Sequence, residues 1–121
     1  MAASTWVPQR GEVIYINHSP AAASEIPNEH PMLVITTQNF NEKTGLLIGL
    51  SLTHSELHAR NPFAIPLRDG NRTSYLVCNQ PRTFAWAGER AGRPHPWGMK
   101  IKDKLDEALV ILGEIIGLPG T

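Results

Sequence analysis

Five histidines and a scatter of arginines and carboxylates are the residues of this chain whose chemistry is worth following first. Imidazole titrates near neutral pH, so a histidine can take or give a proton during a reaction. Arginine can bind a phosphate or stabilise a doubly charged transition state. These residues cluster in two polar segments. The first, His18 to His30, holds His18, Glu25, Glu29 and His30. The second follows Thr53 and holds His54, His58 and Arg60. A third group, Asn79, Gln80 and Arg82, comes after an apolar run.

Several chemistries are not supported by the spacing. His54 and His58 are four apart, which suits a metal site on a helix, but their segment reads as a loop. No HExxH pattern and no paired cysteines accompany them, so no metal or other cofactor is expected. There is no phosphate-cradling glycine loop and no GxSxG nucleophile elbow. The bland alternative is that the polar residues are solvated loop side chains.

These loops must be held by something, and the apolar segments show what. Gly11 to Asn17 (GEVIYIN) reads as a strand, with Val13, Ile14 and Ile16 suggesting burial on both faces. Pro31 to Thr37, Leu46 to Thr53, Phe63 to Leu67 and Thr73 to Cys78 read as further strands, and Arg82 to Trp86 continues the sheet. Gly49 marks a bulge or tight bend. Asp69-Gly70-Asn71 is a hairpin turn. Gln38 to Gly45 reads as a polar connector with turn chemistry at Asn41 to Gly45, and Ala87 to Gly98 as loop. Ile101, Leu105, Ala108, Leu109, Leu112, Ile115 and Ile116 recur at helical spacing over 102–117 before Gly117 and Pro119. Residues 1–8 form an N-terminal arm, with Trp6 and Val7 able to pack down.

The 121 residues fit one domain, mostly β, with a C-terminal helix. Hydrophobic residues at 41% and charged residues at 18% argue for a packed core, and ten Gly with ten Pro favour many short strands. The formal net charge of zero means that any nucleic-acid binding needs a local patch. The lone cysteine, Cys78, reads as a small buried hydrophobe, and the chain as cytoplasmic, with no membrane segment.

The order of segments resembles the PemK/MazF family of toxins. The resemblance rests on Gly11-Glu12 opening a strand, the loop Pro20 to Glu25, and His30-Pro31 before an apolar strand. It continues through the turn Asn41-Glu42-Lys43-Thr44-Gly45, Thr53 at the end of the third strand, and Gln80-Pro81-Arg82-Thr83. It implies an SH3-like small β-barrel with a C-terminal helix, a homodimer, and metal-independent cleavage of single-stranded RNA or mRNA. The implied partners are a cognate antitoxin and, only through it, operator DNA. The implied chemistry is attack of the ribose 2′-hydroxyl on phosphorus, leaving a 2′,3′-cyclic phosphate and a 5′-hydroxyl.

Carried over residue by residue, His30 takes the acid/base role where the family has Arg. Thr53 holds phosphate, and Glu25 orients or activates. His18, His54, His58, Asn79, Gln80 and Arg82 are the expected RNA contacts. The Kid/PemK branch flanks its strand cysteine with Arg and Asp, and here those places are Val77 and Asn79. Two readings follow: a nuclease working through His30, or a catalytically weakened homologue that mainly binds antitoxin. A third is an unrelated small barrel used for protein interaction.

Overall fold

A computed structural model describes residues 6–17, 29–87 and 92–119. The strands are β1 (Val13–Asn17), β2 (Glu29–Val34), β3 (Leu46–Thr53), β4 (Ala64–Asp69), β5 (Arg72–Val77), β6 (Arg82–Ala85) and β7 (Arg93–Pro94). The helices are α1 (Gln38–Thr44) and α2 (Asp103–Ile116), and Glu56–His58 makes one 3-10 turn. The seven-stranded sheet is antiparallel, in the order β4-β5-β3-β2-β1-β7, with β6 added to β3. Among the described residues the end strands β4 and β7 do not pair, so the sheet is barrel-like but open there.

β3 is the organising strand. Its first half pairs with β6 (Leu47↔Phe84), its middle with β2 (Leu33↔Leu50), and its end with β5 (Leu52↔Leu76). Alternation then sends side chains into two cores. Val13, Leu33, Leu50, Leu52 and Leu76 pack with Leu105 and Ala108 of α2. Ile14, Ile16, Met32, Val34 and Leu47 pack with Phe84 on the other side. Strand β1 thus feeds both cores, as its apolar run predicts. Gly49 stands beside Met32: a Cβ there would lie 2.7 Å from Met32 Sδ and 3.0 Å from the Leu33 carbonyl. Close packing, rather than a bulge, explains this glycine.

Several sequence expectations need correction. Gln38 to Gly45 is a helix, not a connector. Thr37 caps it by accepting from Phe40 N, and Gly45 closes it at φ 72°. Only Asn41 of this helix is buried, so no apolar period announced it. Asn41 is fully buried and does polar work instead: its Nδ2 donates to the Pro8 carbonyl (2.8 Å), and its Oδ1 accepts from Thr36 Oγ1 (2.6 Å). The second strand starts at Glu29, which places His30 on the strand and not in the loop. Strand β4 begins after the exposed Phe63, and the 87–98 segment contributes β7, paired with Ile14 and Tyr15. The hairpin at Gly70-Asn71 is as expected, with Asp69 opposite Arg72.

Helix α2 also differs in detail. Leu105 and Ala108 are buried, but Ile115 and Ile116 are exposed, so the apolar stripe outruns the core it covers. The N-terminal arm is tied down from Trp6. Its indole donates to the Glu12 carboxylate (3.1 Å) and packs edge-on against Trp86, whose own indole donates to the Asn41 carbonyl.

Candidate active site

Register decides which polar residues meet. Met32 lies opposite Ser51 in the last β2–β3 pair, and His30 and Thr53 stand two residues beyond it on their strands, which turns each to the same face as that pair. His30 and Thr53 line two adjoining clefts, with Leu52 between them. Thr53 Oγ1 accepts from Ser55 N at 3.1 Å, which leaves the hydroxyl proton to donate into the cleft.

The larger cleft, of about 460 Å³, has an aromatic wall and an acidic corner. His95 lies between Tyr15 (ring centroids 4.5 Å apart) and Trp97 (5.5 Å), while Arg93 covers the Tyr15 ring at 4.4 Å. Trp97 N donates to His95 Nδ1 at 2.9 Å, so that nitrogen carries no proton. Burial pushes the His95 imidazole below its ordinary value; the Asp69 carboxylate opposes this, and the Arg93 guanidinium adds to it. His95 is therefore a neutral ring whose proton sits on Nε2.

Across this cleft, His54 is anchored. Its Nδ1 lies 3.1 Å from the Thr73 carbonyl, which can only accept, so Nδ1 is the donor. Its Nε2 faces Asp69 Oδ2 at 3.5 Å, with both side chains about one-third exposed, at 34% and 38%. Both ring nitrogens have protein neighbours, so His54 ties the end of β3 to the β4–β5 hairpin.

The smaller cleft, of about 250 Å³, is the polar one. Arg82, Gln80 and His58 surround the His30–Thr53 pair, and Val77 forms part of the wall. The Arg82 guanidinium rests over Phe84 at 5.0 Å. Among the described residues no carboxylate pairs with it. Asn79 is exposed, and its Oδ1 accepts from Asn61 Nδ2 at 3.1 Å; the same amide reaches His58 Nδ1 at 3.2 Å.

The structure thus brings together His30, Thr53, His54, His58, Gln80 and Arg82, with Asn79 at the edge. His18 and Glu25 lie outside the described residues. Sequence reasoning missed Asp69, His95, Trp97 and Asn61. Asp69 looked like turn chemistry, and His95 lies in a Pro-His-Pro segment with no periodicity. Their only sequence signal was residue type, because only the fold puts Asp69, His95 and Trp97 in one cleft with His30, and Asn61 against His58.

The fold and the cleft together define a small, mostly β protein with a polar cleft beside an aromatic one. A family model described as the PemK-like, MazF-like toxin of type II toxin-antitoxin systems matches residues 9–110, and the chain belongs to this family. The particular relatives include the endoribonuclease PemK of Escherichia coli, 35% identical over 91 residues that cover 70% of this chain and 68% of that one. The endoribonuclease toxin MazF of E. coli K12 is 26% identical over 88 residues, covering 73% of this chain and 78% of that one. The crystal structure of MazF from Deinococcus radiodurans superposes with a TM-score of 0.72 at 24% identity, covering 94% of this chain and all of that one, and its complex with MazE gives 0.70.

Proposed function

We propose that the chain is a toxin endoribonuclease that cleaves single-stranded RNA, mRNA in the first place, at the His30–Thr53 pair. The observation that carries this reading is a histidine and a hydroxyl donor, His30 and Thr53, lining one cleft together with Arg82. His30 takes the proton of a ribose 2′-hydroxyl. O2′ then bonds to phosphorus, the P–O5′ bond breaks, and His30 returns the proton to the departing O5′. Thr53 and Arg82 hold the phosphoryl oxygens as charge builds on them. Glu25 is the residue proposed to orient or activate this chemistry. Unpaired RNA suits the site, because only unstacked bases can enter a cleft of this size.

The relatives named endoribonuclease support this reading. The MazE–MazF complex supports a cognate antitoxin as partner, and we propose that operator DNA is reached only through that antitoxin. Exposed Val110, Ile115, Ile116 and Leu118 on and after α2 give an apolar surface suited to protein association, which favours a homodimer.

One observation favours the second reading, a weakened enzyme that mainly binds antitoxin. Val77 brings no polar group to the cleft, and the Asn79 carbonyl is taken by Asn61. Induction in a bacterial host separates the two readings. The nuclease reading expects growth arrest and RNA ends carrying a 2′,3′-cyclic phosphate, both lost with His30→Ala. If the wild-type chain yields no such ends, the nuclease reading is wrong. If His30→Ala is as toxic as wild type, the role given to His30 is wrong.

A further inference from the structure

His58 sits at the end of the 3-10 turn, in a mostly polar segment. Its surroundings fix its proton. Phe63 N can only donate, and it donates to Asn61 Oδ1 at 2.9 Å, which sets the orientation of the Asn61 amide. Asn61 Nδ2 is then the donor. It serves two acceptors at once, Asn79 Oδ1 at 3.1 Å and His58 Nδ1 at 3.2 Å. A nitrogen that accepts carries no proton, so the His58 ring holds its proton on Nε2 and is uncharged. The backbone supports the arrangement: Asn61 N donates to the His58 carbonyl, and Ala64 N to the Asn61 carbonyl.

This ring lines the smaller cleft beside His30, Thr53 and Arg82. From this geometry we infer that His58 is a catalytic residue of the proposed cleavage, acting as a neutral hydrogen-bond donor to a non-bridging phosphoryl oxygen. Asn61, buttressed by Asn79, is its positioning residue. The inference rests on the nuclease reading and adds a specific part to it. An uncharged imidazole can act as an electrophile without changing its proton count. No proton leaves His58 during the reaction. Its Nε2–H shortens its bond to the oxygen as negative charge grows there, and relaxes when the P–O5′ bond has broken. An acid or base role would need a second proton on the ring or a free lone pair on Nε2. The Asn61 amide disfavours both, because it points a donor at Nδ1.

Three variants and one spectroscopic readout test this. Nitrogen-15 spectra of the imidazoles in the intact protein are expected to show His58 protonated at Nε2. In Asn61→Asp the proton moves to Nδ1, since the new carboxylate accepts from it. His58→Ala is expected to lower kcat about 10²-fold, as for loss of one oxyanion donor, with a much smaller change in KM. His58→Gln keeps an N–H donor and is expected to recover a good part of that loss, whereas an acid/base histidine would not be rescued by an amide. A wild-type ring protonated at Nδ1 overturns the inference, as does a His58→Ala kcat close to wild type, or a His58→Gln no better than Ala. If the wild-type chain cleaves no RNA, the nuclease reading fails, and so does the catalytic role of His58. The tautomer and its response to an uncleavable 2′-deoxy dinucleotide then report only whether the ring binds phosphate.

Discussion

Asn41 offers a quantitative test of how this fold is held together, because its whole side chain is buried and every polar atom on it has a partner. Replacing it with Ala removes the donor from the Pro8 carbonyl and the acceptor from the Thr36 hydroxyl. It also removes a longer bond to the Thr36 carbonyl at 3.3 Å. Two good hydrogen bonds contribute about 0.5–1.5 kcal/mol each, and a buried group left unpaired costs about 1–3 kcal/mol. Pro8 is itself fully buried, so water cannot replace the lost donor without a rearrangement. The expected destabilisation of Asn41→Ala is therefore about 3 kcal/mol. Asn41→Asp keeps the shape but sets a carboxylate oxygen against the Pro8 carbonyl, and buries a charge with no cation against it. It is expected to be at least as damaging as Ala. Urea unfolding at fixed protomer concentration measures both, since association would otherwise shift the midpoint. A loss under about 1 kcal/mol for Ala, or an Asp variant more stable than Ala, refutes the reasoning.

Other expectations concern single groups. Burial, helped by the Glu107 carboxylate, pushes the Cys78 thiol up to about 11, so it should resist a thiol reagent at pH 8 until the chain unfolds. The unfolded thiol ionises first, so stability should fall from about pH 9 as the pH approaches about 11, and Cys78→Ala should lack that part of the decline. Gly49→Ala presses a methyl onto Met32 Sδ and the Leu33 carbonyl, and should lower stability by about 1–3 kcal/mol in the same urea assay. His95 should titrate by NMR below the ordinary imidazole value, and below that again in Asp69→Asn, which removes the charge that favours protonation. Because its folded value is lowered, His95 should cost the fold stability as the pH drops below the unfolded imidazole value, where the unfolded ring gains its proton first.

The order of apolar runs made the strands legible. Val13, Ile14 and Ile16 are followed by a second run from Met32 to Ile35 and a third from Leu46 to Leu52, because a half- or fully buried strand must be written in β-branched and aliphatic residues. The closing helix was legible from Leu105 and Ala108 at helical spacing, though its stripe predicted more burial at Ile115 and Ile116 than one chain provides. Helix α1 escaped notice because a helix that buries an asparagine leaves no hydrophobic period, although Thr37 and Gly45 stood in place as its caps. Of the candidate site, the family resemblance singles out His30, Thr53 and Arg82 in the sequence, and all three line one cleft.

What the residues alone could not decide is which side chains share a cleft and which way each ring carries its proton. His30 shares a cleft with Thr53 because β2 and β3 pair in the observed register, and a slip of one residue would turn His30 to the opposite face. His58 and His95 read alike in the sequence, as polar histidines in loops. The folded backbone gives one the amide of Asn61, three residues on, and the other the backbone N–H of Trp97, two residues on, leaving each ring with its proton on Nε2. Neighbours two or three residues away set the form in which each ring can act, while strand pairing between residues distant in the chain sets which side chains share a cleft.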